Sequence, residues 1–227
     1  ALRLPLMFGD RLDRIHEQLR HYQSSGKSLF ATSSFQTHSI PLLHMLSEFD
    51  RGIPVYFLDT GFHFPETRIF RDRISEQLEL NLFTIESPVP KISQRDEHSA
   101  FLFTSDPDRC CYLNKVLPME PILIKHDVWI SGVRRDQTRH RKDLSAEEQG
   151  THDTLRYHPL LDWTAKMIWE YRQAFNLPEH PLEAKGYLSI GCVPCTRKFQ
   201  EQPDERVGRW AGMSKEECGI HTEFVQK

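Results

Sequence analysis

The chain has 227 residues, of which 38% are hydrophobic, and its formal net charge is −3 at pH 7. A chain of this size and composition can bury one sizeable core, which predicts a single domain over residues 1–227. The weak negative charge does not favour a nucleic-acid partner, and no apolar run approaches the length of a membrane span.

Apolar periodicity and turn residues predict strands that alternate with helices. This order is typical of a doubly wound, mostly parallel sheet of five or six strands with helices on both faces. We expect an N-terminal helical segment (1–27), an α/β core (28–200) and a C-terminal segment (201–227). The predicted strands are 28–32, 54–59, 82–86, 127–132 and 155–161, and the predicted helices are 8–24, 40–49, 65–78, 109–115 and 165–175.

A polar loop, Ser33 to Ser39, joins the first strand to the next helix. The helix N-terminus offers backbone N–H groups to an anion, and Ser33, Ser34 and Thr37 add hydroxyl groups. The loop lacks the glycines of a Walker or Rossmann motif. It is therefore either an anion site of another kind or an ordinary helix cap.

Polar and charged residues follow two further strands. The second strand ends in Asp59-Thr60-Gly61, and the fourth is followed by five cations between Arg134 and Lys142. Open α/β sheets bind ligands at the carboxyl ends of their strands. These residues therefore indicate an anionic ligand at that edge of the sheet.

The five cysteines have a spacing typical of metal ligation. Cys110 and Cys111 are adjacent, and Cys192 and Cys195 form a CxxC pair. Four thiolates suit an iron–sulfur cluster or a zinc ion, and the adjacent pair favours the cluster because zinc sites usually use two CxxC pairs. Unrelated buried thiols are the third interpretation. Cys218 is left over and could act as a nucleophile.

Several charged residues could assist this chemistry. Lys115 follows the cysteine pair by one helical turn, where a cation would stabilise an anionic cluster. Arg206 and Arg209 are three residues apart and would share one face of a helix. His221 could help to keep Cys218 ionised in a mobile chain end.

With these motifs the chain resembles the assimilatory sulfonucleotide reductases, in particular their iron–sulfur branch that uses adenylylsulfate. The resemblance runs from about residue 28 to residue 221, and the combination of CC, CxxC and ECGIH is its most specific part. The segments that carry it are Leu58-Asp-Thr-Gly61 with Pro65-Glu-Thr67, Cys110-Cys111 with Lys115 and Pro118, Ser131-Gly-Val-Arg-Arg-Asp-Gln137, Gly191-Cys-Val-Pro-Cys-Thr-Arg197, Glu205-Arg-Val-Gly-Arg-Trp210 and Glu217-Cys-Gly-Ile-His221.

The resemblance implies an adenine nucleotide α-hydrolase-like fold with a mobile C-terminal tail. It also implies a [4Fe–4S] cluster on Cys110, Cys111, Cys192 and Cys195. The substrate-binding residues would be Ser33, Ser34, Thr37, Leu58, Thr60, Gly61, Lys115, Gly132, Arg134, Arg206 and Arg209, with His221 in a supporting role.

The implied activity is the reduction of adenylylsulfate to sulfite and AMP in assimilatory sulfate reduction. Cys218 would carry an S-sulfonate intermediate. A dithiol protein, thioredoxin or a glutaredoxin-like donor, would supply the electrons. We expect a cytoplasmic protein, and a homo-oligomer is compatible with the sequence.

Three other functions remain open at this point. The 3′-phosphorylated form of adenylylsulfate is an alternative substrate. An ATP-dependent sulfurtransferase of the same fold would need a glycine-rich pyrophosphate loop, and Ser33 to Ser39 lacks those glycines. A zinc-binding interaction module would leave Cys218 without a role.

Overall fold

The computed structural model describes residues 3–198, Ile220 and Phe224. Four residues expected at the site, Arg206, Arg209, Cys218 and His221, lie outside this range, as does the expected mobile tail. Among the described helices, none combines the length and apolarity that a bilayer span requires.

The strands form one six-stranded sheet in the order β3-β2-β1-β4-β6-β5. All neighbouring strands pair parallel except β5, which pairs antiparallel with β6 at the edge. The strands are β1 (Leu29–Thr32), β2 (Pro54–Asp59), β3 (Asn81–Glu86), β4 (Val128–Ile130), β5 (Glu147–Gln149) and β6 (Leu155–Tyr157).

Helices cover both faces of this sheet, which confirms the predicted doubly wound α/β class. They are α1 (Arg3–Ser24), α2 (Ile40–Phe49), α3 (Pro65–Gln77), α4 (Leu102–Ser105), α5 (Pro107–Cys111), α6 (Leu117–Lys125) and α7 (Ala165–Ala174). A π-helical turn, Tyr112–Val116, joins α5 to α6.

The two faces of the sheet bury separate cores because successive strand residues point to opposite sides. Ala31 and Ile130 pack in the larger core, to which α1, α2, α3 and α7 contribute side chains. Phe30 and Trp129 pack in the smaller core with side chains of α6 and with Phe224. Strands buried on both faces explain the continuous apolar runs that predicted them.

Two sequence predictions about the elements are wrong, and one strand was missed. The fifth strand ends at Tyr157 rather than Leu161, since Pro159 cannot donate to a ladder and the chain turns there. Strand β5 was not predicted, because Glu-Glu-Gln shows neither apolar alternation nor β propensity.

The second wrong prediction concerns the prolines after the cysteine pair. The predicted helix 109–115 ends before Pro118 and Pro121, yet the chain stays helical to Lys125. Pro118 occupies the first turn of α6, where a missing N–H costs nothing, and Pro121 lies inside the helix. The π-helical turn before them shifts the hydrogen-bond pattern at this point.

The strand order positions the site. From β1 the chain proceeds to β2 and β3 on one side, whereas β4 and β6 lie on the other side. The loops that follow β1 and β4 therefore leave the sheet in opposite directions and open a crevice at the carboxyl ends of the strands.

Helix α3 offers a matched test of core packing. Ile74 is fully buried in the larger core, whereas Ile69 on the same helix is 69% exposed. Ile74→Ala should lower the free energy of unfolding by about 2–5 kcal/mol. Ile69→Ala should change it by less than about 0.5 kcal/mol. Urea unfolding followed by circular dichroism measures both, and equal effects would contradict the assigned packing.

Candidate active site

A cleft lies at the carboxyl ends of β1, β2 and β4. Ser33 and Ser34 line it after β1, Leu58 lines it at the end of β2, and Gly132 lines it after β4. The segment from Leu188 to Cys192 closes another side. Sequence motifs far apart in the chain therefore meet at one edge of the sheet, as predicted.

The loop after β1 is fixed by its own hydrogen bonds. Phe35 adopts a positive φ of 53° and packs its buried ring on Phe57, with ring centroids 5.8 Å apart. Its N–H donates to Ser33 Oγ (3.0 Å), while Gln36 Nε2 donates to Ser34 Oγ (3.2 Å). Both serine hydroxyls are thus held at the cleft by acceptor contacts and keep their own protons to donate.

Gln36 also ties this loop to the segment that carries the CxxC pair. Its Oε1 accepts a hydrogen bond from the backbone N–H of Ile190 (3.1 Å), two residues before Cys192. Gln36 is buried and lines the cleft itself. We call the loop after β1 (Ser33 to Ser39) the serine loop and the segment that carries the CxxC pair the cysteine-bearing loop. The two loops are therefore directly connected across the cleft.

Of the arginines in the basic segment 134–142, Arg141 lines the cleft. Its Nη1 donates to Gln137 Oε1, which also accepts from the backbone N–H of Arg134 (3.2 Å). The Arg134 side chain is buried and its Nε donates to Asp136 (2.9 Å), away from the lining of the cleft. Arg141 therefore lines the cleft, whereas Arg134, which the family resemblance implied as a substrate ligand, is not among its lining residues.

The four cysteines of the two pairs line one pocket beside this cleft. Cys110, Cys111 and Cys192 are buried, and Cys195 is half-buried. Phe62 and Phe103 are among the apolar side chains that complete the lining, and we call this cavity the thiol pocket. The predicted convergence of CC and CxxC is present in the fold.

Electrostatics explain what this pocket requires. Burial and then the neighbouring Cys111, Cys192 and Cys195 raise the pKa of Cys110 to about 12. Four thiolates therefore cannot coexist here unless a cationic centre offsets their repulsion. Among the described residues, no three His, Cys, Asp or Glu side chains have the geometry of a preformed site for one metal ion.

Two polar side chains contact the sulfur atoms. Thr60 Oγ1 lies 3.1 Å from Cys192 Sγ, and Asn114 Nδ2 lies 3.6 Å from Cys110 Sγ. Thr60, which the sequence had suggested as a substrate ligand, therefore faces the thiol pocket.

Lys115 connects the two cavities. It lines both the cleft and the thiol pocket. After burial, which is the larger cause, its positive charge contributes to the lowered pKa of His63. One cation thus borders both cavities.

His63 lines the cleft as a neutral imidazole. Burial is the main reason why its pKa is lowered to about 4. Its Nε2 lies 2.9 Å from the backbone oxygen of Leu58, and since a carbonyl only accepts, Nε2 carries the proton. Nδ1 is left as a buried acceptor with no hydrogen-bond partner among the described residues.

His180 is the centre of a buried hydrogen-bond network that holds Thr37, in the loop after β1. Its backbone N–H donates to Thr37 Oγ1 (2.8 Å), its Nδ1 accepts from the N–H of Leu182 (3.2 Å), and its Nε2 donates to Thr67 Oγ1 (3.0 Å). The ring is therefore neutral, in agreement with burial, which lowers its pKa to about 4. Thr37 is buried in this network and does not line the cleft.

The predicted ligand residues thus fall into separate groups. Ser33, Ser34, Leu58, Lys115 and Gly132 line the cleft. Thr37 and Arg134 are buried and do not line the cleft, and Thr60 lines the thiol pocket. Gly61 is exposed and has a φ of 71°, and the Lys91 side chain packs over it. Sequence reasoning missed further lining residues: Gln36, His38, His63, Ser131, Gln137 and Arg141.

The missed residues had weak signals in the sequence. His63 is two residues beyond the Asp-Thr-Gly motif, and Arg141 is one of several cations in a charged run. Only the path of the backbone distinguishes the arginine at the cleft from its neighbours.

Two solved structures illustrate the fold. A phosphoadenylyl-sulfate (PAPS) reductase from Candida auris, in a phosphate complex, superposes with a TM-score of 0.66 at 22% identity, covering 78% of this chain and 87% of that one. The NH3-dependent NAD synthetase of Campylobacter jejuni gives 0.55 at 13% identity, covering 82% and 80%. The chain therefore has the adenine nucleotide α-hydrolase-like fold.

Sequence comparison then gives the family. The sequence model of the phosphoadenosine phosphosulfate reductase domain matches residues 28–198, and the chain belongs to this family. An adenosine 5′-phosphosulfate reductase of Chelativorans sp. (strain BNC1) is 42% identical over 83% of this chain and 77% of its own length. Another, from Mesorhizobium japonicum, is 39% identical over 92% and 85%.

The neutral state of His180 predicts a pH dependence of stability. Because its pKa is about 4 when folded and near 6.5 when unfolded, the unfolded chain takes up the proton first as the pH falls. The stability is fully present above pH 6.5 and decreases toward pH 4. Between pH 7 and pH 5 this one ring should account for a loss of about 2 kcal/mol.

His180→Asn removes this titration, so its unfolding free energy should fall less steeply over the same interval. His98→Asn is the matched control, since the His98 side chain is exposed and the slope should match the parent protein. Urea unfolding at pH 7, 6 and 5 gives the three slopes. A His180→Asn slope equal to that of the parent would refute the assignment.

Proposed function

We propose that this protein reduces adenylylsulfate to sulfite and AMP. The observation that carries the proposal is the contact between a polar cleft and a pocket of four cysteines, with Lys115 lining both. The relatives that share 42% and 39% of their residues with the chain, both named adenosine 5′-phosphosulfate reductase, support the same substrate.

The cleft is suited to an anionic nucleotide. Ser33 and Ser34 would donate their hydroxyl protons to phosphate or sulfate oxygens, and Lys115 and Arg141 would supply positive charge at the same ligand. Leu58 and Gly132 lie at the carboxyl ends of β2 and β4, where open α/β sheets bind their ligands. Arg206 and Arg209 would add charge from the C-terminal segment.

The thiol pocket fits a [4Fe–4S] cluster. Cys110, Cys111, Cys192 and Cys195 would hold it, and their mutual repulsion in a buried site is relieved by the iron centre. When bound, the cluster would supply a fixed charge distribution next to the cleft. Thr60 and Asn114 would contact its cysteine ligands through polar atoms.

Cys218 would perform the covalent step. Its thiolate attacks the sulfur of the phosphosulfate anhydride, the sulfur–oxygen bond to the nucleotide breaks, and AMP leaves with the electron pair. The cations of the cleft would stabilise this developing phosphate charge. His221 would assist by favouring the thiolate.

A dithiol protein such as thioredoxin or a glutaredoxin-like donor would then complete the cycle. One of its thiolates attacks the Cys218 sulfur, displaces sulfite and forms a mixed disulfide, and its second thiol then attacks that disulfide to release the Cys218 thiol. The donor is oxidised to a disulfide and provides both electrons. Such a reaction with reduced thiols suits the cytoplasm.

The cleft position of Arg141 gives a direct binding test. Arg141→Ala should weaken AMP binding roughly tenfold or more, since a buried charge-assisted contact contributes about 1.5–3 kcal/mol. Arg139→Ala is the matched control, because Arg139 belongs to the same short 3₁₀ turn but is exposed and does not line the cleft. Isothermal titration with AMP measures both; equal affinities in the two variants would argue against a role for Arg141.

The activity itself is tested with the nucleophile variant. The parent protein, purified anaerobically and given a dithiol donor, should release sulfite from adenylylsulfate faster than from its 3′-phosphorylated form. Without a donor it should gain the mass of one sulfonate group. Cys218→Ser should bind AMP like the parent protein but form no adduct and release no sulfite.

The outcomes separate the alternatives. Faster turnover of the 3′-phosphorylated compound would make that compound the substrate. An adduct on Cys218→Ser, detected by intact-mass spectrometry, would place the nucleophile elsewhere. No sulfite from either compound with the parent protein would overturn the proposed reaction.

A further inference from the structure

A buried pair of amide side chains lies next to the thiol pocket. Gln94 and Asn114 are each at most 2% exposed. Gln94 Nε2 donates to Asn114 Oδ1 (3.0 Å), and Asn114 Nδ2 donates to Gln94 Oε1 (2.6 Å). Gln94 Nε2 also donates to the backbone oxygen of Val89 (3.0 Å), which fixes the Gln94 amide from the other side.

The second N–H of the Asn114 amide faces Cys110, whose backbone oxygen is the nearer acceptor and whose Sγ is a second, more distant one. Nδ2 lies 2.9 Å from the backbone oxygen and 3.6 Å from the Sγ of Cys110. Asn114 itself lines the thiol pocket. Because both hydrogens of Nδ2 are used, the reciprocal pair with Gln94 determines which hydrogen faces Cys110.

The backbone supports the same arrangement. Asn114 lies inside the π-helical turn Tyr112–Val116, where the N–H of Leu117 donates to the oxygen of Tyr112, five residues earlier. This turn places Asn114 toward the cysteines and leaves Lys115, the next residue, at the border with the cleft. A position in an isolated π-helical turn is often linked to function.

We propose that Asn114, oriented by Gln94, donates a hydrogen bond to the Cys110 thiolate when it ligates the cluster and slows the loss of iron from that corner. The inference rests on the cluster assigned under the proposed function. An N–H donor to a thiolate is charge-assisted and stabilises the ligand in its ionised form. Hydrogen bonds to the ligating sulfurs are a general means by which proteins tune such clusters.

Asn114 is thus a positioning residue that acts through Cys110, and Gln94 acts through Asn114. A leucine at position 114 has similar bulk and no donor. Asn114→Leu should therefore release iron to a chelator roughly tenfold faster than the parent protein. Gln94→Leu retains the Asn114 amide but frees its rotation, so its rate should lie between the two.

Resonance Raman spectroscopy separates hydrogen bonding from general loosening of the fold. In the parent protein, exchange into deuterated water should shift iron–sulfur stretching bands that involve cysteine sulfur. Asn114→Leu should lose part of that deuterium shift. Asn81→Leu is the matched control, because Asn81 donates to the backbone oxygen of Gly52 away from the pocket and both readouts should match the parent protein.

The results decide between the inference and its premise. A parent protein that holds iron and sulfide, together with an Asn114→Leu variant of unchanged release rate and deuterium shift, overturns the role of Asn114 alone. A parent protein that holds zinc and no iron after anaerobic purification overturns the cluster itself. If Asn114→Leu does not fold, Asn114→Ala removes the same donor without adding apolar bulk and is judged by the same criteria.

Discussion

Parallel pairing around β1 is the constraint on which the rest of the structure depends. Because β1 pairs parallel with both β2 and β4, the carboxyl ends of the three strands meet at one edge of the sheet. That pairing brings together Ser33, Leu58 and Gly132, which are far apart in the chain. Both faces of these strands are buried, so a slip in register would expose apolar side chains and is strongly disfavoured.

The sequence predicted the parts of the fold that depend on burial. β1, β2 and β4 are apolar runs, and each was located to within a few residues. β5 and the continuation through α6 escaped prediction, because an edge strand needs few apolar residues and a proline is tolerated in the first turn of a helix. In both cases tertiary context outweighed local propensity.

At the site, the sequence predicted which motifs come together better than it predicted which side chains line the cleft. The convergence of the cysteine pairs followed from their spacing, and the serine loop from its place after β1. By contrast, Arg134 and Arg141 are chemically identical in the sequence, yet Arg141 lines the cleft whereas Arg134 is buried in contact with Asp136. The family resemblance predicted the reaction, but it did not predict these side-chain contacts.

The hydrogen bond from the Ile190 N–H to Gln36 has a mechanical consequence. It joins the serine loop directly to the cysteine-bearing loop across the cleft. A side chain that lines the cleft therefore also holds the backbone two residues before Cys192. The position of the CxxC pair relative to the cleft is thus tied to a single buried amide.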